Sequence, residues 1–244
     1  MTRIACVLFD LDGVLVDATE WHYVALNRAL GLFGFDITRY EHLSGYNGLP
    51  TRKKLQMLSV EKGLPTALHN TLSRLKQVYT RDEILTKCKP VFEKEYLLSR
   101  LRKEGYRLAV CSNSIRESLL MMVHQSGVEE YLEFLISNED VSKPKPDPEI
   151  YSNAIARMGV TPSETLIVED SPHGLEAARR SGAHICQVSG FADVEYFRVR
   201  AAIDRAESRS PVITTIIAEP AEHTEPSSQP GARPHRVAGT AVAA

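Results

Sequence analysis

Five short runs of mostly apolar residues set the strongest constraint on how this chain can fold. The runs are IACVLF, YRLAVCS, FLISN, TLIVED and HICQVS, beginning at residues 4, 106, 134, 165 and 184. They lack the alternation of apolar and polar residues that marks a half-buried strand. Runs of this kind are typical of strands that are buried on both faces of a parallel sheet. The sequence therefore predicts a buried parallel sheet.

The segments between the later runs carry the periodicity of amphipathic helices. They cover residues 94–104, 115–126, 148–158 and 173–181. A glycine follows each segment, where a left-handed C-terminal cap is expected: Gly105, Gly127, Gly159 and Gly182. The alternation of strands and helices predicts an α/β fold, with a Rossmann-like, three-layer core around the parallel sheet.

Residues 18–86 interrupt this alternation. They contain three amphipathic helical stretches and no convincing strand. We expect a small α-helical cap inserted after the first strand, above the sheet edge where ligands bind in open α/β folds. The core would then consist of residues 1–17 and 87–218.

The final residues, 219–244, have a different composition. They are rich in Pro, Ala, Ser and Thr, with almost no large apolar side chain. A segment of this composition cannot offset the entropy of ordering, so we predict a disordered tail. The run VITTII at 212–217 could add an edge strand before it.

Charge and composition narrow the possible partners and the location. There are 29 basic and 31 acidic residues, so no basic excess suggests nucleic acid, and no apolar stretch is long enough for a bilayer. The chain begins without the pattern of a secretory signal, and its four cysteines lack metal-ligand spacing. We expect a cytoplasmic protein with free thiols, a monomer or weak dimer that binds no nucleic acid and no membrane.

Polar residues follow four of the apolar runs, at the C-terminal end of each predicted strand. Carboxylates at the tip of a buried strand are costly to desolvate, so they imply a ligand, a metal or a reaction. The same edge of a parallel sheet carries all four strand ends, and the groups should converge on one crevice. They are Asp10 and Asp12, Ser112 and Asn113, Lys143, and Glu169 with Asp170.

These groups have the chemistry needed to transfer a phosphoryl group. A carboxylate beside a divalent cation and a lysine can attack phosphorus, because both cations reduce repulsion from the phosphoryl oxygens. A second carboxylate can protonate the leaving group and later activate water. A hydroxyl and backbone N–H groups can hold the phosphoryl oxygens, and Mg²⁺ would neutralise the clustered acids.

The motifs FDLDGVLVD, SN at 112–113, SKPKPDP and VEDSPHGLEAARRSGA stand in this order within residues 4–190. In this the chain resembles the haloacid dehalogenase superfamily, in the subgroup of capped phosphatases and β-phosphoglucomutase-like proteins. The resemblance implies that Asp10 is the nucleophile, which forms an aspartyl-phosphate. It also implies that Asp12 is the general acid and base.

The resemblance further implies which residues bind the phosphoryl group. Ser112 and Lys143 are expected to do so, with Asn113 beside them. Lys143 is preferred to Lys145 because it precedes the Pro-x-Pro step of SKPKPDP. One departure from the family pattern is KPVFEKEYLLSRL, which replaces a usual Pro-Gly and affects packing more than chemistry.

A Mg²⁺ site is implied by the same family pattern. Asp10, Asp170 and the backbone carbonyl of Asp12 are its expected ligands, and Glu169 is expected to assist through a water molecule. Gly174 is expected to let the following helix pack closely.

Three residues of the helical segment could contact the substrate: His22, Arg52 and Lys76. Each also has a simpler interpretation. His22 could be a packing residue at the hinge, and charged residues on amphipathic helices are usually solvated.

The sequence thus predicts a Mg²⁺-dependent phosphatase for a small phosphorylated metabolite, with a sugar or polyol phosphate as its substrate. The main alternative is a sugar phosphomutase, which shares every core residue. The hinge favours hydrolysis, because Ala18 follows Asp17 where a mutase-like hinge has a hydroxyl residue.

Other chemistries fit the sequence less well. A haloacid dehalogenase needs neither the second acid Asp12 nor a metal site at Asp170. A phosphonate hydrolase would use a Schiff-base lysine from the helical segment. Lys53, Lys54 and Lys76 are the candidates, but nothing around them in the sequence indicates a depressed pKa. An inactive phosphometabolite-binding regulatory module is the alternative of another class, and the intact motif set argues against it.

Overall fold

A five-stranded parallel sheet lies at the centre of this computed structural model, which describes residues 3–208. The strands are β1 (Cys6–Phe9), β2 (Arg107–Cys111), β3 (Phe134–Ile136), β4 (Thr165–Glu169) and β5 (His184–Gln187). Their order across the sheet is β3-β2-β1-β4-β5, and every pair is parallel. The predicted α/β fold is confirmed. The possible strand at 212–217 and the predicted tail at 219–244 lie outside the described residues.

The register of the sheet brings the predicted motifs to one level. Phe9 pairs with Val110 of β2 on one side and with Val168 of β4 on the other. The residues that follow these three therefore emerge together at the C-terminal edge of the sheet. Asp10 comes from the central strand, between the polar residues after β2 and those at the end of β4.

Helices cover both faces of the sheet and complete three layers. Side chains of β1 alternate between the two resulting cores: Val7 and Phe9 lie in one, and Cys6 and Leu8 in the other. The first core is closed by α5 (Phe92–Lys103), α6 (Arg116–Gln125) and α9 (Tyr196–Ser208), and the second by α7 (Glu149–Met158) and α8 (Pro172–Ser181). The helix α9 was not predicted from the sequence.

The predicted C-terminal glycine caps are confirmed. Positive φ angles of 92°, 71°, 67° and 79° occur at Gly105, Gly127, Gly159 and Gly182. These glycines end the helices that were predicted at 94–104, 115–126, 148–158 and 173–181.

Between β1 and β2 the chain is helical, and residues 19–87 are called the helical insert below. It contains α1 (Thr19–Gly31), α2 (Arg39–Glu41) with a π-helical turn at His42–Tyr46, α3 (Thr51–Lys62) and α4 (His69–Lys87). It has an apolar core of its own, which includes Leu26, Leu30, Leu55, Leu58 and Leu72. No helix within residues 3–208 has the length and apolar character needed to cross a membrane.

A tight loop joins β1 to the insert. The Leu11 carbonyl accepts hydrogen bonds from the backbone N–H groups of Val14, Leu15 and Val16, and the Gly13 N–H donates to the Val16 carbonyl over 2.7 Å. Gly13 has a φ of 87°, and a Cβ at this position would collide with Oδ2 of Asp170. The loop therefore requires glycine, and it holds the β1 and β4 motifs in contact.

Candidate active site

Lys145, not Lys143, is the lysine of the site. Its buried Nζ donates to Oδ1 of Asp10 over 2.6 Å and to Oε2 of Glu169 over 2.8 Å. Lys143 is exposed, and its backbone N–H donates to a carboxylate oxygen of Glu149 over 2.9 Å. The expectation that Lys143 faces the site is therefore wrong.

The physical reason lies in the hydrogen bonds of the loop. Glu149 also accepts from the N–H and hydroxyl of Ser142, which holds the first part of the loop at the surface. Two residues after Lys143, the backbone N–H of Lys145 donates to Oδ1 of Asn113 over 3.1 Å. This bond fixes Lys145 beside the end of β2. Motif spacing alone did not reveal which lysine is held this way.

Glu169 positions Lys145. Oε2 of Glu169 accepts from Lys145 and from the Tyr151 hydroxyl, the latter over 2.6 Å. Oε1 accepts from the hydroxyl and N–H of Ser171 and from the N–H of Asp170, over 3.0–3.1 Å. Burial alone would raise the pKa of Glu169, but the charge of Lys145 and these bonds bring the pKa below its usual range. Five donors occupy both oxygens, so Glu169 is an anchor for the lysine.

The close packing around Glu169 predicts the effect of Gly174→Ala. A Cβ at Gly174 would overlap the Glu169 carboxylate. We expect this substitution to lower the free energy of unfolding by about 1–3 kcal/mol, visible in a denaturant melt, and to reduce activity by displacing Glu169. Gly31→Ala is the matched control, because a Cβ there meets no atom within 4 Å. Equal stability of the two variants would contradict this packing role.

Asp10 and Asp170 form an acidic cluster together with Glu169. Ligand atoms of the three carboxylates lie within 4.8 Å of one another. Oδ1 of Asp170 is buried and has no hydrogen-bond donor among residues 3–208. Burial and the Glu169 charge raise the pKa of Asp170 to about 7 and the pKa of Asp10 well above its usual value. An orphaned carboxylate oxygen in an acidic cluster is the environment that a hard divalent cation would complete.

Asp12 follows Asp10 by two residues and is held by hydroxyl groups. Its Oδ2 accepts from the Ser114 hydroxyl over 2.7 Å and from the Ser112 hydroxyl over 3.2 Å. Its Oδ1 lies 2.9 Å from Nε2 of His22. Burial would raise the pKa of Asp12, but His22 and Ser114 outweigh it and lower the pKa below its usual range. Ser114 is a site residue that the sequence analysis missed.

His22 connects Asp12 to the insert. Its Nδ1 lies 3.0 Å from Nζ of Lys76, which is buried in α4. A lysine ammonium can only donate, so Nδ1 accepts and Nε2 carries the proton that faces Asp12. Burial lowers the pKa of Lys76 to about 8 and, with the charge of Lys76, also lowers the pKa of His22. The structure thus brings the predicted His22 and Lys76 into the site.

Asn113 joins the core to the insert. Its Nδ2 donates to the Gly48 carbonyl over 2.8 Å and to the Lys145 carbonyl over 3.2 Å. Its Oδ1 accepts from the Lys145 N–H. The side chain predicted to contact phosphate is therefore engaged elsewhere. What Asn113 can offer a phosphoryl oxygen is its backbone N–H.

A cavity of about 230 Å³ separates the strand ends from the insert. Its floor includes the acids Asp10 and Asp12 and the lysine that binds Asp10. Its other wall comes from the insert and includes His22, Thr51, Arg52, Lys54 and Lys76. Arg52 is exposed at the rim, so the three insert residues predicted to contact substrate all reach the cavity.

Lys54 changes the assessment of the insert lysines. It is buried, and burial together with the Lys76 charge lowers the pKa of Lys54 to about 7. The pKa of Lys76 is lowered as well. Nothing in the sequence indicated these lowered pKa values, because it does not show how deeply the two side chains lie.

The arrangement defines a class of enzyme with a parallel α/β core, in which a buried lysine binds an aspartate at the tip of the central strand and a second aspartate follows two residues later. A family model described as haloacid dehalogenase-like hydrolase matches residues 7–188. The chain belongs to this family.

Comparisons with individual proteins agree with this family. The chain is 27% identical to Pyrophosphatase PpaX of Bacillus velezensis over 188 residues. This alignment covers 77% of this chain and 84% of the relative. It is 29% identical over 178 residues to a Phosphorylated carbohydrates phosphatase of Thermotoga maritima. This second alignment covers 72% of this chain and 81% of the relative. The structure resembles a beta-phosphoglucomutase of Clostridium difficile with a TM-score of 0.74 and 18% identity, over 85% of this chain and all of that one. At 18% identity, this structural comparison shows that the two proteins share a fold.

Proposed function

We propose that this protein is a Mg²⁺-dependent phosphatase that hydrolyses a small phosphorylated metabolite, a sugar or polyol phosphate, through an aspartyl-phosphate at Asp10. The contact of Lys145 with Asp10 carries this proposal. A buried cation 2.6 Å from the carboxylate favours its ionised form against the effects of burial and of Glu169, and attracts a phosphoryl group to the same point. The names of the two curated relatives, a pyrophosphatase and a phosphorylated carbohydrates phosphatase, support a phosphatase.

The reaction divides between the two aspartates. Asp10 attacks phosphorus, and the leaving oxygen takes a proton from Asp12. Water then attacks the aspartyl-phosphate while Asp12 accepts a proton from it. His22 and Ser114 stabilise the carboxylate form of Asp12, which is the form that can accept the proton of water in the second step.

Asp10 and Asp170 are the residues that would hold Mg²⁺, together with the Asp12 carbonyl that the family pattern implies. When bound, the ion would offset the charge of the acids and of the phosphoryl oxygens. Glu169 is a weaker candidate ligand, because its oxygens already accept five hydrogen bonds. We infer that Glu169 contributes by holding Lys145.

Activity should disappear when a chelator removes divalent cations and return when Mg²⁺ is added. Ca²⁺ should inhibit, because the larger ion takes more ligands and can draw both oxygens of Asp10 away from attack. Phosphate release measured against each added ion checks this. Asp170→Asn should raise the Mg²⁺ concentration needed for half activity, whereas Asp36→Asn on the exposed surface of the insert should not. Full turnover in chelator-treated protein would exclude the metal role.

Hydrolysis and phosphoryl transfer between sugar positions can be separated in one assay. Ala18 is buried and provides no side-chain hydrogen bond at the start of α1, so the hinge lacks the hydroxyl restraint of a mutase-like hinge. A hexose 1-phosphate with a trace of its bisphosphate should give free phosphate and little 6-phosphate isomer. Faster formation of the isomer than of phosphate would establish the mutase. A panel of phosphorylated metabolites, run alongside, tests for the phosphatase and its substrate.

The predicted location and assembly complete the proposal. We infer a cytoplasmic protein, since Cys6, Cys88, Cys111 and Cys186 are all buried and unpaired. A monomer or weak dimer remains the prediction for the assembly, and light scattering would measure it.

A further inference from the structure

Lys54 is a buried cation that the proposed reaction does not use. It lies in the first turn of α3, only 5% exposed, and lines the cavity. Within residues 3–208 its Nζ has no hydrogen-bond or ion-pair partner. The other two buried lysines of the cavity are each engaged: Lys145 with Asp10 and Glu169, and Lys76 with His22.

Among the described residues that line the cavity, no carboxylate forms an ion pair with Lys54, and the charge of Asp12 offsets the effect of burial only in part. The acids among its lining residues are Asp10 and Asp12, both on the core side. Asp10 is bonded to Lys145, and Asp12 to His22 and two serines. A buried charge without a partner is costly, which is why burial lowers the pKa of Lys54 to about 7. An anion brought by a ligand would remove this cost.

We propose that Lys54 binds a second anionic group of the substrate, so that the substrate is a small phosphate ester that also carries a carboxylate or a second phosphoryl group. This proposal rests on the proposed phosphatase function of the same cavity. Lys145 and Asp10 receive the group that is hydrolysed, and Lys54 on the opposite wall receives the group that stays.

The start of α3 supports an anion site around Lys54. The N–H groups of Lys53 and Lys54 are the first of this helix to bond backward, both to the Pro50 carbonyl. Those of Thr51 and Arg52 precede them and remain available at the positive end of the helix. Thr51 and Arg52 also line the cavity, so a hydroxyl and a guanidinium lie on the same wall as the ammonium group.

Matched substrate pairs test the proposal. Phosphoglycolate is compared with 2-hydroxyethyl phosphate, and fructose 1,6-bisphosphate with fructose 6-phosphate, so that the arms distinguish a carboxylate from a second phosphate. The doubly anionic member of at least one pair should have a kcat/KM about tenfold or more above its partner. p-Nitrophenyl phosphate, which has no second anion, serves as the reference for basal phosphatase activity.

Lys54→Met should abolish that preference. We expect kcat/KM for the doubly anionic substrate to fall by about ten- to a hundredfold, mainly through KM, while p-nitrophenyl phosphate is hydrolysed almost as before. Lys54→Arg should retain part of the preference. Lys53→Met is the matched control, because Lys53 is the exposed neighbour on the same helix and should have no effect. Thermal melts verify that each variant is folded.

Several results would overturn the proposal. An equal loss on both members of a pair would show that Lys54 only supports the fold, and wild-type protein without a preference would show that it binds no second anion. Covalent attachment of an aldehyde substrate to Lys54 after borohydride reduction would show instead that Lys54 forms a Schiff base. If wild-type protein hydrolyses none of these compounds, including p-nitrophenyl phosphate, the phosphatase function itself fails.

Discussion

Asp10→Asn is expected to abolish turnover, with kcat lowered on the order of 10⁴-fold or more. The amide has nearly the shape of the carboxylate but cannot form the aspartyl-phosphate, so the loss concerns the chemical step. Its oxygen can still accept from Lys145, which lies 2.6 Å from Oδ1 in the wild-type protein. The fold should therefore survive. Calorimetric titration should show that the variant still binds substrate.

The control for this experiment is Asp36→Asn, which removes an exposed carboxylate of the insert and should leave kcat unchanged. Phosphate release by Asp10→Asn at anything near the wild-type rate would eliminate the covalent mechanism. A variant that fails to bind substrate would instead show that Asp10 contributes mainly to affinity.

Lys145→Met should have a smaller effect on activity than Asp10→Asn and a larger one on stability. The substitution leaves two buried carboxylates, Asp10 and Glu169, without their shared cation, which costs about 3–5 kcal/mol of unfolding free energy. Loss of the positive charge beside the phosphoryl group should lower kcat by about 10²–10³-fold. Denaturant melts and phosphate release measure the two effects separately.

Lys143→Met supplies the contrast, because it changes the same residue type two positions earlier in the same loop. Lys143 is exposed and contacts Glu149 through its backbone, so both activity and stability should remain close to wild type. Lost activity in Lys143→Met with retained activity in Lys145→Met would restore the assignment made from the motif.

The five strands of the core and its helices α5 to α8 were predictable because each has a strong local signal, whereas α9 was not predicted. Buried strands such as TLIVE have a continuous apolar centre, and Gly159 and Gly182 mark helix ends through a backbone conformation that other residues avoid. The grouping of Asp10 with Glu169 and Asp170 followed from the same reasoning, since parallel strands place their C-terminal ends at one edge. These features depend on composition and spacing, which the sequence displays directly.

The choice of lysine and the contribution of the insert were not predictable in this way. Lys145 faces the site because Glu149 fixes the backbone of Lys143, two residues before it, and Asn113 fixes the backbone of Lys145 itself. Ser114 repeats the hydroxyl of Ser112 two positions later, and this could have suggested it as a second contact to Asp12. The burial of Lys54 depends on the packing of α3, for which its charged sequence gives no indication.

The Asn113 amide couples the position of the insert to the position of Lys145. One side chain holds both the Gly48 carbonyl of the insert and the backbone of Lys145, so the seating of the insert and the placement of the lysine are mechanically joined. A molecule bulky enough to displace the Gly48 loop would therefore also disturb the position of Lys145, the lysine that contacts the phosphoryl group. Selection by size would then act on the rate of reaction and leave affinity little changed, and poor substrates would occupy the protein without being consumed.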